Sequence, residues 1–196
     1  MNSISVSNKS WILKEYNENQ LSYFKDNFSL DEITSKLLSI RNIKNEEVIG
    51  FLYPSIKNFL PNPENLIDMK KSSLRTVEAI KNHEKIGIFG DYDVDGASAT
   101  ALLGNFFSSI NIPFEIYIPD RRKEGYGPTI NAFQKLISSG VGLIYTVDCG
   151  TLSFEPIKYA KSKNIDVIVL DHHQSEINLP NCLLYTSPSP RDEKVS

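Results

Sequence analysis

The stretch GIFGDYDVDG, residues 87–96, places three carboxylates directly after a short apolar run. Asp91, Asp93 and Asp95 occupy alternate positions, so that their like charges repel one another at close range. The run that leads into them, KIGIF at 85–89, has the composition of a buried β-strand. The stretch therefore predicts a strand that ends in a crowded acidic loop, and a divalent cation would relieve that crowding.

Downstream of this strand, apolar runs alternate with helical patterns. Further strands are predicted at 114–118, 142–147 and 166–170, and helices at 96–110, 129–140 and 154–164. Such alternation is typical of an α/β fold with a doubly wound parallel sheet. The strands are almost continuously apolar, as expected when helices cover both faces of the sheet.

The two ends of the chain do not follow this alternation. Most of the sequence between residues 30 and 84 has helical patterns, and we expect residues 1–84 to form a mostly helical N-terminal segment. The α/β domain is expected at 85–181. Residues 182–196 contain two Ser-Pro pairs and a polar end, which predict a disordered tail.

Composition excludes several classes of protein. The chain has 196 residues, 40% of them hydrophobic, and a formal net charge of −3, so global charge gives no support to nonspecific nucleic-acid binding. Two cysteines are too few for a disulfide framework. No apolar run approaches the ~20 residues of a membrane span, and the N-terminus lacks the apolar core of a signal peptide. We therefore expect a cytoplasmic protein that does not associate with membranes.

Polar residues follow three of the predicted strands. Besides the acidic loop, Asp148 follows the strand at 142–147, and Asp171, His172 and His173 follow the strand at 166–170. The carboxyl ends of parallel strands lie at one edge of a sheet, where such folds bind their ligands. Taken singly, each group has a simpler explanation as a helix cap, a turn or a surface loop. Their coincidence at one edge favours a metal site.

The residue types narrow the choice of metal. Aspartate combined with histidine suits Mn²⁺ or a similar ion, whereas carboxylates and water alone suit Mg²⁺ or Ca²⁺. A carboxylate that bridges two ions would make a two-metal site.

The motifs GDYDVDG, TVDCG and LDHH, in this order and with EGYGP between the first two, resemble the successive motifs of the DHH phosphoesterases. The resemblance covers roughly residues 30–181 and is greatest to the bacterial exonucleases that are specific for single-stranded DNA. It implies metal-dependent phosphodiester hydrolysis with two Mn²⁺ or Mg²⁺ ions. It also implies 5′→3′ action on single-stranded DNA in DNA repair and recombination.

The same resemblance implies a role for each residue at the predicted metal site. Asp93, Asp95, Asp148 and His172 would be metal ligands, with Asp148 shared by two ions. His173 would contact the scissile phosphate, so that the catalytic candidates are His173 and Asp148.

Further residues would support this site or bind the substrate. Asp91 and Asp171 would support the ligands, although Asp91 could also reach a metal. In the loop RRKEGYGP, Arg121 and Arg122 would bind a DNA phosphate, and Tyr126 would stack on a base. The alternative for this loop is a solvated run of charges.

The C-terminal part of the chain departs from the family pattern. The family has a further metal-ligating Asp downstream of the DHH motif, whereas the one Asp after His173 is Asp192, within the Ser-Pro tail. The segment CLLYTSPSPRD, at 182–192, resembles translated sequencing-adapter sequence more than a protein segment. We therefore expect an N-terminal fragment of a longer gene with a disordered or artefactual tail. The isolated fragment is expected to bind metal weakly, to turn over poorly and to aggregate.

Two other functions remain open. One is a DHH enzyme that acts on small nucleotides or polyphosphate, towards which the mildly acidic charge leans. The other is a non-catalytic, DHH-like replication scaffold. The presence of all five residues of the metal motifs argues against a scaffold.

Overall fold

The computed structural model describes residues 7–10, 12, 14–60, 62–173 and 179–186, and for residues 184–186 it describes the backbone alone. The chain divides into two compact units, Met1–Pro61 and Asn62–Ser196. The sequence predicted a boundary after residue 84 instead. The difference arises because the helix at Met69–Lys81 packs on the sheet, where its Ala79 is fully buried.

The first unit is helical. Its helices are α1 (Glu18–Phe28), α2 (Glu32–Ile40), α3 (Val48–Leu52) and α4 (Ile56–Phe59), with a 3₁₀ turn at Asn45–Glu47. The fully or almost fully buried side chains of Phe24, Leu38 and Val48 form its core. Helix α1 lies within the segment expected to be mostly helical, but its polar sequence gave no distinct helical pattern. Its N-cap is Asn17, whose side chain accepts hydrogen bonds from the amides of residues 19 and 20.

The second unit contains a sheet of parallel strands, which confirms the predicted α/β fold. The strands are β1 (Lys85–Gly90), β2 (Phe114–Tyr117), β3 (Val141–Val147), β4 (Asp166–Asp171) and β5 (Leu183–Thr186). Their order across the sheet is β2-β1-β3-β4-β5, and every neighbouring pair is parallel.

Strand β5 corrects the prediction that residues 182–196 lack regular structure. Leu183 pairs with Ile168 and Thr186 pairs with Asp171, so β5 extends the sheet beyond β4. The sequence signal was weak because only four residues form the strand and Ser-Pro pairs follow it directly. The remainder of the predicted tail, residues 187–196, lies outside the described residues.

Helices cover both faces of this sheet. They are α5 (Met69–Lys81), α6 (Val94–Ser109), α7 (Arg121–Glu124), α8 (Ile130–Ser138) and α9 (Phe154–Ser162), with a 3₁₀ turn at Pro63–Asn65. Helices α5 and α6 enclose one core with alternate strand residues such as Ile86 and Ile88. Helices α8 and α9 enclose the other core with Phe89 and Ile144. This alternation explains why the strands are apolar on both sides.

Strand order places a crevice at the carboxyl edge of the sheet. Strand β1 lies between β2 and β3. The helix that follows β1 covers one face of the sheet, and the helix that follows β3 covers the other. The loops after β1 and β3 therefore diverge, which creates the ligand crevice typical of this strand order.

No helix in the described part of the chain is both long enough and apolar enough to cross a membrane.

Candidate metal centre

The loop after β1 holds two carboxylates in different environments. Asp91 is 3% exposed and accepts a hydrogen bond from the amide of Tyr92 at 2.8 Å. Asp93 is exposed and caps α6, where its Oδ1 accepts a hydrogen bond from the amide of Gly96 at 3.0 Å. A Cβ at Gly96 would lie 2.6 Å from the carbonyl oxygen of Asp91. Glycine therefore allows α6 to begin directly against the acidic loop.

Asp148, after β3, is the most constrained acid of the site. Its backbone is left-handed, with φ of 60°, and its amide donates to the carbonyl of Leu170 at 2.8 Å. The residue is 6% exposed, and neither carboxylate oxygen receives a hydrogen bond from any described residue. Nε2 of His172 lies 3.0 Å from Oδ1, within ion-pair distance. A buried carboxylate without hydrogen-bond donors is costly unless a cation completes its coordination.

Asp171, at the end of β4, has its hydrogen bonds satisfied. Its Oδ2 accepts from the amide of Thr151 at 3.0 Å and from the hydroxyl of Thr151 at 2.6 Å. Its Oδ1 accepts from the amide of His173 and lies 2.8 Å from Nδ1 of the same residue. Burial raises the pKa of Asp171, but these hydrogen bonds outweigh burial and leave the pKa below its ordinary value. Asp171 is therefore an ionised acceptor that orients His173.

The other carboxylates differ in acidity. Burial first, and then the proximity of Asp93, raises the pKa of Asp148 to about 6. Burial likewise raises the pKa of Asp91, whereas the hydrogen bond from Gly96 lowers that of Asp93. The site therefore resists full ionisation of its acids while no cation neutralises them.

Two groups of side chains could each hold a metal ion, since their ligand atoms lie within 4.8 Å of one another. The first group is Asp91, Asp93 and Asp148, and the second is Asp148, His172 and His173. Asp148 belongs to both groups. Its two oxygens without hydrogen-bond donors and the mixed carboxylate and imidazole set fit Mn²⁺ or a similar divalent ion.

The structure brings together most of the predicted ligands. Asp93, Asp148 and His172 belong to these groups, whereas Asp95 belongs to neither. Asp95 lies in the first turn of α6, where each residue rotates by about 100° and the alternation of an extended loop is lost. Asp91, predicted mainly as a supporting residue, occupies a ligand position instead, and so does His173. The roles of these residues stay predictions.

The loop that follows β2 lies beside the cluster. The guanidinium of Arg121 lies 4.8 Å from the centre of the Tyr92 ring, next to Asp91. Arg122 is exposed on the same short helix, α7. The hydroxyl of Tyr126 lies 3.3 Å from the carbonyl oxygen of Asp148. Two of the three predicted substrate-binding residues therefore contact residues of the acidic loops.

Sequence reasoning missed Thr151. Its amide and its hydroxyl both bind Asp171, so it ties the loop after β3 to the end of β4. The available signal was its position directly after the TVDCG motif. A cleft of about 330 Å³ opens here, bounded by Tyr126, His173 and the loop at 150–153. The cleft gives a substrate access to the side of the cluster that carries His173.

Comparisons with known proteins agree with this architecture. The single-stranded-DNA-specific exonuclease RecJ of Bacillus subtilis is 32% identical over 184 residues, which cover 93% of this chain and 23% of that protein. The RecJ of Haemophilus influenzae is 33% identical over 80% of this chain and 27% of its own length. The chain thus spans about a quarter of the length of the curated relatives it matches.

Solved structures show the same fold. A crystal structure of exonuclease RecJ bound to manganese superimposes with a TM-score of 0.59 at 28% identity, covering 66% of this chain and 33% of that one. RecJ from Thermus thermophilus in complex with Mn²⁺ gives a TM-score of 0.64 at 19% identity, covering 90% of this chain and 25% of that one. The family model for the DHH family, N-terminal domain, matches residues 85–196. Because that match includes more than half of the residues, the chain belongs to the DHH family.

Proposed function

We propose that this chain carries metal-binding and catalytic residues of an exonuclease that hydrolyses phosphodiester bonds in single-stranded DNA. One observation carries the proposal. Asp148 is buried, its oxygens receive no hydrogen bond from a described residue, and it belongs to both ligand groups. The similarity to exonucleases named as single-stranded-DNA-specific supports the choice of substrate.

The metal in this proposal is Mn²⁺, with Mg²⁺ as the alternative. Of the residues in the two ligand groups, Asp91, Asp93, Asp148 and His172 would hold it, and His173 is assigned to the phosphate. When bound, a pair of divalent ions would lower the pKa of a water nucleophile, neutralise the attacked phosphate and stabilise the leaving oxygen. The manganese in the superimposed RecJ structure supports this assignment.

The chain's own residues would orient the substrate. Asp171 is ionised and can only accept, so Nδ1 of His173 is protonated and donates a hydrogen bond to Oδ1 at 2.8 Å. This hydrogen bond fixes the plane of the ring at the mouth of the cleft, where His173 would contact the scissile phosphate. A fixed ring supplies the positioning that phosphoryl transfer requires.

Local positive charge would bind the DNA backbone. The net charge is −3, so any phosphate contact depends on a cluster rather than on the whole surface. Such a cluster lies on α7, where Arg121, Arg122 and Lys123 are consecutive and exposed. Arg121 also lies over Tyr92, beside the acidic loop. We assign phosphate binding to this helix, 5′→3′ polarity to the hydrolysis, and cytoplasmic DNA repair and recombination to the protein.

The experiment measures release of nucleotides from single strands labelled at the 5′ or the 3′ end, with and without Mn²⁺. The chain is assayed with a cyclic dinucleotide as an alternative substrate. The expected result is Mn²⁺-dependent release that begins at the 5′ end. Preferential cleavage of the cyclic dinucleotide would favour the small-nucleotide enzyme, and absence of metal-dependent hydrolysis would favour the scaffold.

Asp148→Asn tests the observation that carries the proposal. It keeps the size of the side chain and removes its charge, so we expect the hydrolysis rate to fall at least about 100-fold. Asp166→Asn is the control, since Asp166 lies at the opposite end of β4 and pairs with Arg75. Full activity of a folded Asp148→Asn protein would overturn the proposal.

A further inference from the structure

We propose that the hydroxyl of Tyr126 is a positioning group, which ties the backbone of Asp148 to the imidazole of His173. The hydroxyl lies 3.3 Å from the carbonyl oxygen of Asp148 and 3.3 Å from Nδ1 of His173. The two rings meet edge to face, with centroids 6.0 Å apart and an interplanar angle of 78°. The kinetic part of this inference rests on the proposed function.

Tyr126 connects loops from three different strands. It belongs to the segment between α7 and α8, which follows β2, whereas Asp148 follows β3 and His173 follows β4. The hydrogen bonds of Thr151 to Asp171 already join the loop after β3 to the end of β4, and Tyr126 adds the loop after β2 to this connection. The side chain of Tyr126 reaches both of the other loops, and it therefore restrains the relative positions of Asp148 and His173.

Glycines with positive φ flank Tyr126 and set the position of its backbone. Gly125 and Gly127 have φ of 81° and 77°, values that residues with a Cβ rarely adopt. Added Cβ atoms would meet no heavy atom within 4 Å at Gly125, and only Ser153 Oγ, at 3.9 Å, at Gly127. Glycine is thus required there by backbone conformation and not by crowding.

The direction of the hydrogen bonds follows from Asp171. Its ionised carboxylate only accepts, so Nδ1 of His173 carries the proton at that contact. The hydroxyl of Tyr126 then donates to the carbonyl of Asp148, and its oxygen faces the Nδ1–H group. A tyrosine hydroxyl is protonated at neutral pH, so it is available as a donor.

These contacts act on the two groups that most need orientation. The left-handed backbone of Asp148, with φ of 60°, determines where its carboxylate points, and a donor to its carbonyl fixes the following peptide plane. The Nδ1 contact restricts rotation of the His173 ring. The hydroxyl of Tyr126 serves this role, whereas base stacking, as predicted from the loop sequence, would need only the aromatic ring.

Tyr126→Phe separates the two roles, because it removes the hydroxyl and keeps the ring. The variant is compared with the wild-type chain by calorimetric Mn²⁺ titration and by its turnover of a 5′-labelled single strand. We expect the Mn²⁺ dissociation constant to rise about 10-fold and kcat to fall about 10-fold, the range found for groups that orient metal ligands. KM for the strand should change less than about 2-fold, because uniform substrate binding is retained.

Tyr145→Phe is the matched control. It removes a hydroxyl that bonds Thr76 on the α5 side of the sheet, away from the cluster. A lower unfolding midpoint with unchanged Mn²⁺ affinity is expected for this variant. Wild-type Mn²⁺ affinity and kcat in Tyr126→Phe would overturn the inference, and so would a higher KM in Tyr126→Ala with no effect of Tyr126→Phe.

A pair of glycine variants tests the placement without changing Tyr126. Gly127→Ala and Gly140→Ala both force a Cβ into a left-handed backbone, with φ of 77° and 88°, and neither meets a heavy atom closer than 3.9 Å. Their stabilities should fall alike, but only Gly127→Ala should weaken Mn²⁺ binding. Equal Mn²⁺ affinities in the two variants would contradict the inference. The metal titrations remain decisive even if the protein proves not to degrade DNA.

Discussion

The two edges of the parallel sheet both gather charged residues, but they neutralise them differently. At the amino edge, Arg75 on α5 donates to Glu84 at 2.7 Å and to Asp166 at 2.6 Å, and a further bond reaches the carbonyl of Gly142. At the carboxyl edge, no lysine or arginine of the described residues forms an ion pair with Asp91, Asp93 or Asp148.

This difference distinguishes structural charge from functional charge. The side chain of Arg75 is 16% exposed, and its guanidinium links three segments that begin strands or precede them, so it completes a network within the chain. The acids of the carboxyl edge remain short of positive charge, and burial raises the pKa of Asp148 and Asp91. A perturbed pKa within a crevice is typical of functional sites. The charges of the amino edge are therefore neutralised within the chain, whereas those of the carboxyl edge require an external cation.

The largest expected effect is stabilisation by metal at the carboxyl edge. Mn²⁺ at 100 times its dissociation constant should raise the free energy of unfolding by about 2.7 kcal/mol, because it binds the folded state alone. Urea unfolding with and without Mn²⁺ measures this increment. Asp148→Asn should abolish it and Arg75→Ala should retain it. An undiminished increment in Asp148→Asn would erase the distinction between the edges.

Removal of the arginine tests the amino edge. Arg75→Ala leaves Glu84 and Asp166 without their shared guanidinium, so the free energy of unfolding should fall by about 2 kcal/mol. Lys71→Ala is the control, since Lys71 is 70% exposed in its pair with Asp68 and should cost less than about 1 kcal/mol. Chemical denaturation of both variants decides the matter. Equal losses would mean that the network acts as an ordinary surface pair.

The start of α6 offers a smaller test at the carboxyl edge. Gly96→Ala forces a Cβ to within 2.6 Å of the Asp91 backbone, so the acidic loop must move and stability should fall by about 1.5 kcal/mol. Mn²⁺ affinity should fall with it. Gly104→Ala, in the same helix, meets only side-chain atoms, of Phe114 at 3.3 Å and of Ile116 at 3.6 Å, and should cost less. Unchanged Mn²⁺ affinity in Gly96→Ala would show that the packing of α6 does not position the acids.

The smallest effect is a pH dependence of the metal-free chain. The pKa of Asp148 is about 6 in the folded state and 3.8 ordinarily, so its proton is held more tightly when the chain is folded. The resulting stabilisation is present below pH 4 and is lost as the pH rises to about 6. The raised pKa of Asp91 adds to this loss of stability with rising pH. The lowered pKa values of Asp171 and Asp93 have the opposite effect, because they contribute stability that is lost as the pH falls.

Asp148→Asn isolates this contribution. Between pH 4 and 6, the wild-type chain should lose stability relative to the variant by on the order of 1 kcal/mol. Urea unfolding at closely spaced pH values in the presence of a chelator measures the difference. A pH-independent difference would show that Asp148 is not the group whose proton stabilises the metal-free fold.

Much of the fold could be predicted because the signals are local. The alternation of apolar runs and helical patterns located β1 to β4 within one residue at each end, since a buried parallel strand must be apolar throughout. The segments that escaped prediction lack such a signal. Helix α1 is polar, and β5 has four residues that form a strand through pairing with β4.

The candidate site was also only partly predictable from the sequence. Sequence order alone placed Asp93, Asp148 and His172 at one edge, because parallel strands end on the same side. It did not distinguish Asp91 from Asp95, since that choice depends on where α6 begins. It also could not reveal the hydrogen bonds of Thr151 to Asp171, which join residues that follow different strands.

The sequence by itself determined the family motifs, the α/β alternation and the edge at which acids and imidazoles gather, because periodicity and chain order are local properties. The tertiary structure decided which carboxylates share ligand distance, which one is buried without a donor, and which hydroxyl lies between Asp148 and His173. Those outcomes depend on distances between loops that are far apart in the chain, and packing of the helices against the sheet sets these distances.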